Sequence, residues 1–512
     1  MKEPTARVGM FAAGAGLLMA VSTLSACGDN SNATVRVAFG ALPAVLDPFQ
    51  AATPPYSIAN RMIYSYVTQV SATAGGKVAT APGIAESWTQ VDPTTWEFKL
   101  RAGLKFSNGE PLDAAAVKAS ADYLLNPQNA KGLLGALSMI AKVNVVDATT
   151  IRFETNSPDG IFPRRLAALA VVPPKAFSAD PKKYMAAPVA SGPWKVEKWV
   201  PNESLILVPN PDAVAAKPKA QRLEFRAIPE ASGRIAALQS GGVDIAQGIP
   251  SDQVELLSKN FNIAEKVEPG SWQMTIYQTS GPLNDKRVRQ ALNYAVDKEL
   301  LLKTVMGGHG AVSQGQVVPE GVTGYCPDVK AYPYDPEKAK ALLKEAGYGP
   351  GDLTFDFQSP TGFVTNDRAL AQATAAMLAN VGVKTNIKFL ELSTFQDAYR
   401  DQSKRAPIFA WRLTTAPFMT ADLSARWYLT GATTHPTGYS NPQYDKDFAT
   451  WQSEGEEKGL PALCNGIALV REDAPTLFGL NLPVLYASNK HVSGFELGVE
   501  GDPRFESVED GK

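Results

Sequence analysis

Pro282-Leu283-Asn284-Asp285-Lys286-Arg287-Val288-Arg289-Gln290-Ala291-Leu292-Asn293-Tyr294-Ala295-Val296-Asp297 reads as a capped amphipathic helix. Asp285 supplies a side-chain acceptor for the unpaired N–H groups of the first turn, and Val288, Ala291, Leu292, Ala295 and Val296 fall on one face. A second helix starts at Asp335-Pro336-Glu337, with a cap, a proline at the first helical position and an acid in the first turn. Its apolar face is Ala339, Leu342, Leu343 and Ala346, and Gly347 ends it. Between such helices lie short strands. Thr34–Phe39 is the first, and Thr95–Leu100 alternates apolar and polar residues, as a half-buried strand does. Val143–Val146 and Ile151–Glu154 flank Asp147-Ala148-Thr149 and predict a hairpin; Pro193–Val200 and Ser204–Val208 around Pro201-Asn202-Glu203 predict another. Strands interleaved with helices of this length specify an α/β protein.

At 512 residues the chain exceeds what one core sustains, about 250–300 residues, so two lobes or more are expected. The net charge of −2 and the lack of a polybasic segment give no support to nucleic-acid binding or to an anionic membrane surface as the main partner. Charge clusters such as Lys286, Arg287 and Arg289, or Glu454, Glu456 and Glu457, read as solvated faces. The three histidines, His309, His435 and His491, share no metal-ligand spacing, so no metal or cofactor is expected. There is no G-x-S-x-G elbow and no phosphate loop, so the chain reads as a non-enzyme; a secreted hydrolase stays open only through a carboxylate pair that spacing cannot reveal.

Residues 1–27 read as an export signal: Lys2 and Arg7, then a short apolar run from Val8 to Val21, too short for a comfortable transmembrane helix. The run ends Leu24-Ser25-Ala26-Cys27, which resembles a bacterial lipobox, and that resemblance implies acyl chains on Cys27 as a membrane anchor. Gly28–Ala33 is polar and small, a flexible tether. Setting Cys27 aside leaves Cys326 and Cys464, either a disulfide in an oxidising compartment or two unrelated thiols.

Four separated blocks carry a family resemblance. The first runs from Val35–Phe39 and Leu46-Asp47-Pro48 through Pro82–Trp88 to Trp96–Leu112; the second is Ser191-Gly192-Pro193-Trp194-Lys195-Val196. The third is Pro282–Asp297, and the fourth is Tyr334–Gly347 with Tyr439-Ser440-Asn441-Pro442 beyond it. In this order, over nearly all of 34–475, they resemble the extracellular solute-binding proteins of family 5, the peptide- and nickel-type binding subunits of ABC importers. Trp88, Trp96 and Trp194 themselves read as core residues, not ligand contacts.

The resemblance implies a two-lobe, type II periplasmic-binding-protein-like fold with the ligand cleft between lobes. Lobe I comprises 34–50, 188–268 and 478–512, with a family-specific subdomain at 51–187; lobe II comprises 269–477. It implies ligand contacts from the loop holding Leu42 and Pro43, from Gln273 and Thr275, and from Trp411, Arg412 and Thr414. Trp411 could stack on a ligand plane and Arg412 could pair with a carboxylate or phosphate. Peptide binders of the family often place an Asp where Thr414 stands, to meet the ligand's ammonium; Asp422 is the nearest acid that could replace it if its loop folds back. The implied function is capture of an oligopeptide or similar small organic solute outside the cytoplasm by a monomer that delivers it to permease subunits with a separate ATPase. A ligand sensor or a chaperone-like surface lipoprotein on the same fold is the alternative.

Overall fold

The computed structural model describes residues 34–49, 56–73, 77–129, 137–214, 217–278, 281–401, 403–416, 418–432 and 437–511. The expectations for the signal segment and Cys27 lie outside these residues.

Three sheets organise the described chain. A seven-stranded sheet runs in the order Phe261–Val267, Pro483–Asn489, Ile245–Gln247, Thr34–Phe39, Arg222–Ala227, Ser204–Pro209, Trp194–Val200. Thr34–Phe39 lies at its centre, parallel to both neighbours, and Val35 and Val37 are fully buried. A six-stranded sheet follows the order Ala311–Val312, Thr476–Asn481, Gly270–Ile276, Ile408–Thr414, Leu353–Thr361, Val383–Glu391. A four-stranded antiparallel sheet, from Ala85–Asp92, Thr95–Leu100, Thr150–Thr155 and Ile140–Asp147, sits within the subdomain inserted after the first strand.

Local signals hold where they were read. Asp285 accepts the Arg287 N–H at 2.8 Å at the start of helix Lys286–Tyr294, which buries Val288, Ala291 and Leu292. Such a cap contributes about 1 kcal/mol. Asp335 accepts the Lys338 N–H at 2.9 Å at the start of Pro336–Glu345, and Gly347 follows at φ +92°, a conformation that suits glycine. Cys326 and Cys464 form a disulfide, their Cα atoms 5.4 Å apart.

The chain passes between the two large sheets twice. Going out, Phe261–Val267 belongs to the first and Gly270–Ile276 to the second, so Glu268-Pro269 is the crossing. Coming back, Thr476–Asn481 and Pro483–Asn489 are joined by Leu482. The return thus falls four residues beyond the expected 478, because the strand of the six-stranded sheet continues to Asn481. The two crossings touch: the Glu268 N–H donates to the Leu482 carbonyl at 2.8 Å.

One core joins the seven-stranded sheet and the inserted subdomain, including Val37, Phe98, Phe153 and Trp194. A second fills one side of the six-stranded sheet around Trp272, Met274 and Leu292. A third is shared: Val70, Ile161 and Ala167 of the insert pack with Leu413, Tyr428, Trp451 and Phe478 of the second lobe. Polar contacts cross at the same place. The Gly160 N–H donates to the Gln452 carbonyl at 2.8 Å, and Arg164 bonds Glu456 through Nε at 2.5 Å and Nη2 at 2.6 Å.

Candidate ligand cleft

A cavity of about 190 Å³ opens where the two crossings meet. Its walls come from both large sheets and from the insert: Gln247 and Tyr486 on the first, Arg412 and Thr414 on the second, and Ile58 from the helix Tyr56–Ile63. Glu268 and Pro269 form part of its lining, so the crossing itself faces the cavity.

Its charges are matched. Glu268 accepts a hydrogen bond from Arg412 Nη1 at 2.7 Å, with the side chains 22% and 19% exposed. Opposite, Glu500 is bonded by Arg61, and Asp502 faces Arg504 Nη2 at 3.1 Å. Burial pushes the Glu500 carboxyl up to about 7 despite the pull of Arg61, since Asp502 adds a second negative charge.

The structure distributes the residues singled out from sequence unevenly. Arg412 and Thr414 line the cavity. The Thr414 hydroxyl accepts the Ala416 N–H at 3.1 Å, which shapes the chain leaving the strand. Trp411 precedes Arg412 on the same strand, so the two side chains project from opposite faces. Trp411 stacks on Tyr399, ring centroids 4.6 Å apart and 8° from parallel, with Phe395 at 5.7 Å and Phe363 at 5.2 Å. Gln273 is paired in register with Trp411 and Thr275 with Phe409, and both polar side chains are buried in the strand Gly270–Ile276. Neither Gln273 amide atom has a hydrogen-bond partner among the described residues.

Three of the residues singled out from sequence, Leu42, Pro43 and Asp422, do not line this cavity. Leu42 is 5% exposed and belongs to the core of the first lobe, so it faces inward instead of lining the cavity. The Pro43 carbonyl accepts the Asn202 N–H at 3.3 Å, tying its loop to the hairpin between Trp194–Val200 and Ser204–Pro209. Asp422 is fully buried and bonded to Arg165, and it receives the Arg426 Nε at 3.1 Å. Burial alone would raise this carboxyl, but the two guanidiniums outweigh it and hold it at about 2. Asp422 therefore balances an arginine of the insert and is not offered to a ligand. Arg165 also donates to Asp159 at 2.7 Å, and both of these are fully buried. His491, isolated in sequence, meets Asp244 and Asp510, each at 3.4 Å; Arg36 already bonds Asp244 at 2.9 Å through two nitrogens.

Sequence reasoning missed Glu268, Glu500 and Asp502. Glu268 lies at the lobe boundary that the family resemblance implied, which was a usable signal; nothing local marks 500–502 as part of a cleft.

The profile of the bacterial extracellular solute-binding proteins, family 5 (middle region), matches residues 79–434. The chain belongs to this family. Its members are extracytoplasmic solute-binding proteins of ABC importers. The glutathione-binding protein GsiB of Salmonella paratyphi A is 32% identical over 390 residues, covering 72% of this chain and 73% of that protein. GsiB of Pectobacterium atrosepticum is 30% identical over 420 residues, covering 79% and 80%. Among solved structures, NikA from Brucella suis in complex with Fe(III)-EDTA superposes with a TM-score of 0.81 at 24% identity, covering 93% of this chain and 99% of that one. CtaP from Listeria monocytogenes superposes at 0.83 and 20% identity, covering 94% and 100%. DppA from Helicobacter pylori, solved with the peptide STSA, superposes at 0.79 and 21% identity, covering 94% and 99%. These likenesses fix the family 5 fold, and with it the two-lobe α/β class expected from sequence.

Proposed function

We propose that this chain captures a small peptide-class solute in the cavity at the two crossings and presents it to its permease. The observation that carries the reading is the composition of that cavity, lined from both large sheets and by the crossing residues themselves. A solute held there touches both lobes, so binding it favours their closed arrangement, which is how a hinge protein signals occupancy. The cavity is about 190 Å³, below the roughly 300–1,000 Å³ typical of sites for drug-sized ligands, which favours a ligand of a few residues over a long peptide. Paired Glu268 and Arg412 offer an acceptor and a donor for polar ends, and GsiB relatives are named for a short peptide, glutathione.

The same proposal includes the anchor. Leu24-Ser25-Ala26-Cys27 followed by a polar tether supports lipidation of Cys27 and retention on the outer face of a membrane. Replacing Cys27 with Ala should release the protein from the membrane fraction.

The test of capture is thermal denaturation of the purified chain with di- to pentapeptides, glutathione, sugars and metal chelates. A ligand that binds only the folded state stabilises it by mass action, by about 2.7 kcal/mol at a hundredfold excess over Kd, and so raises the melting temperature. Stabilisation by short peptides or glutathione is the expected result. Stabilisation by sugars or chelates alone would replace the peptide assignment, and no response to any of the panel would overturn the capture reading.

A further inference from the structure

Four charged side chains line the cavity: Glu268, Arg412, Glu500 and Asp502. Two of them are spoken for by arginines behind the wall, Glu500 by Arg61 and Asp502 by Arg504. Glu268 and Arg412 differ, because among the described residues their only ionic partners are each other and both remain open to the cavity, at 22% and 19%. They also have unused capacity. Among the described residues Glu268 engages Arg412 through Oε2 alone and Arg412 engages it through Nη1 alone, while the buried Arg412 Nε has no acceptor. The Phe363 ring, 5.7 Å from the guanidinium carbon, braces Arg412 from the side.

We propose that Glu268 and Arg412 are a specificity clamp for a ligand carrying its ammonium and carboxylate on one carbon, an α-amino-acid headgroup. The inference rests on the capture reading above and narrows its ligand class. The argument is one of spacing. Glu268 and Arg412 are in contact at 2.7 Å, so the two charges they can accept must lie side by side. On an α-amino acid the nitrogen and the carboxyl carbon are two bonds apart, roughly 2.5 Å. The ends of an extended dipeptide are separated by roughly 5–7 Å, at about 3.3–3.6 Å per residue. A headgroup can therefore set its ammonium on Glu268 and its carboxylate on the remaining guanidinium N–H groups while the pair stays closed. A linear peptide, with its charges farther apart, is the poorer match to the closed pair. Asp422 offers no second acid for a ligand ammonium here, since it is buried and bonded to Arg165.

The experiment is isothermal titration of the purified chain with γ-glutamylalanine and its isomer α-glutamylalanine. The two have the same atoms and the same charges; only the γ-isomer keeps ammonium and carboxylate on one carbon. We expect the γ-isomer to bind at least tenfold tighter, and Glu268→Gln and Arg412→Gln each to reduce that preference below threefold. Should either variant fail to fold, as judged by circular dichroism, N-acetyl-γ-glutamylalanine against wild type replaces it, with a tenfold loss expected. Equal binding of the isomers, tighter binding of the α-isomer, or full binding of the acetylated probe overturns the clamp while leaving peptide capture intact. Binding of neither isomer overturns the clamp as well; failure of the whole thermal panel removes the capture reading with it.

Discussion

Glu456→Gln tests whether the insert grips the second lobe only when the cleft is shut. Arg164 is 1% exposed and meets Glu456, 23% exposed, through two short hydrogen bonds. Its remaining nitrogen, Nη1, is buried without a partner, so Glu456 is the only carboxylate bonded to this guanidinium among the described residues. Removing one partner of a charged, largely buried pair costs about 1.5–3 kcal/mol; the partial exposure of Glu456 places it in the lower half, about 1.5–2 kcal/mol. If the contact forms on closure, that cost falls on the closed state, and apparent affinity drops with the population of closed protein. At 1.4 kcal/mol per factor of ten, this is roughly a 10- to 30-fold weaker Kd, from a residue that does not line the cavity. The assay is titration of wild type and variant with γ-glutamylalanine, with small-angle scattering on the unliganded proteins. The variant should show the larger radius of gyration. A Kd within twofold of wild type combined with a lower melting temperature would refute the reasoning, because the insert would then stay on the second lobe when the cleft opens.

Further outcomes follow from other features. Gly160→Ala should weaken ligand binding in the same direction, because a Cβ there would stand 2.6 Å from the Gly455 backbone; unchanged titration would show that the backbones can part at no cost. Replacing Cys464 with Ser opens a loop of 138 residues, for which loop-closure entropy gives about 5 kcal/mol, and chemical denaturation with and without reductant would measure it. Burial pushes the Lys298 ammonium down to about 7, against Asp297 and the Asn293 carbonyl at 2.8 Å that favour the cation. From pH 7 to about 10.4 the unfolded chain therefore holds more protons than the folded one, so stability rises with pH, by at most about 1.4 kcal/mol per unit, and is reduced below 7. Denaturation midpoints across pH 6–9 should flatten in Lys298→Met. Trp411→Ala should cost about 3 kcal/mol of stability by emptying the stack on Tyr399 and Phe395, seen as a lower denaturation midpoint.

What could be read in the sequence was what neighbours along the chain determine. Asp285 and Asp335 cap their helices because the acceptor and the orphan N–H groups lie within three residues. The alternation of Thr95–Leu100 predicted its strand because the side-chain period of a half-buried strand is local. The site was less legible because its partners are remote. Asp422 looked available for a ligand, and the arginine that claims it is 257 positions away. Glu268 and Arg412 are 144 apart and meet only because the strand after the crossing pairs with Ile408–Thr414. Leu42 followed the family position of a contact loop, but an apolar side chain beside a central strand gains more by burial in the core.

The hydrogen bond between Glu268 and Leu482 gives the two lobes a common axle. Because the outgoing and returning strands are fastened side by side, a rotation of one lobe carries atoms at the rim through a long arc and those at the pivot through almost none. Glu268 rides on the pivot. A solute arriving at an open molecule would meet this carboxylate in the position it holds after closure, and the far contacts at Gly160 and Arg164 would sweep in afterwards. Recognition would come before commitment, with the chemistry set at the still point of the movement and the leverage applied at its edge.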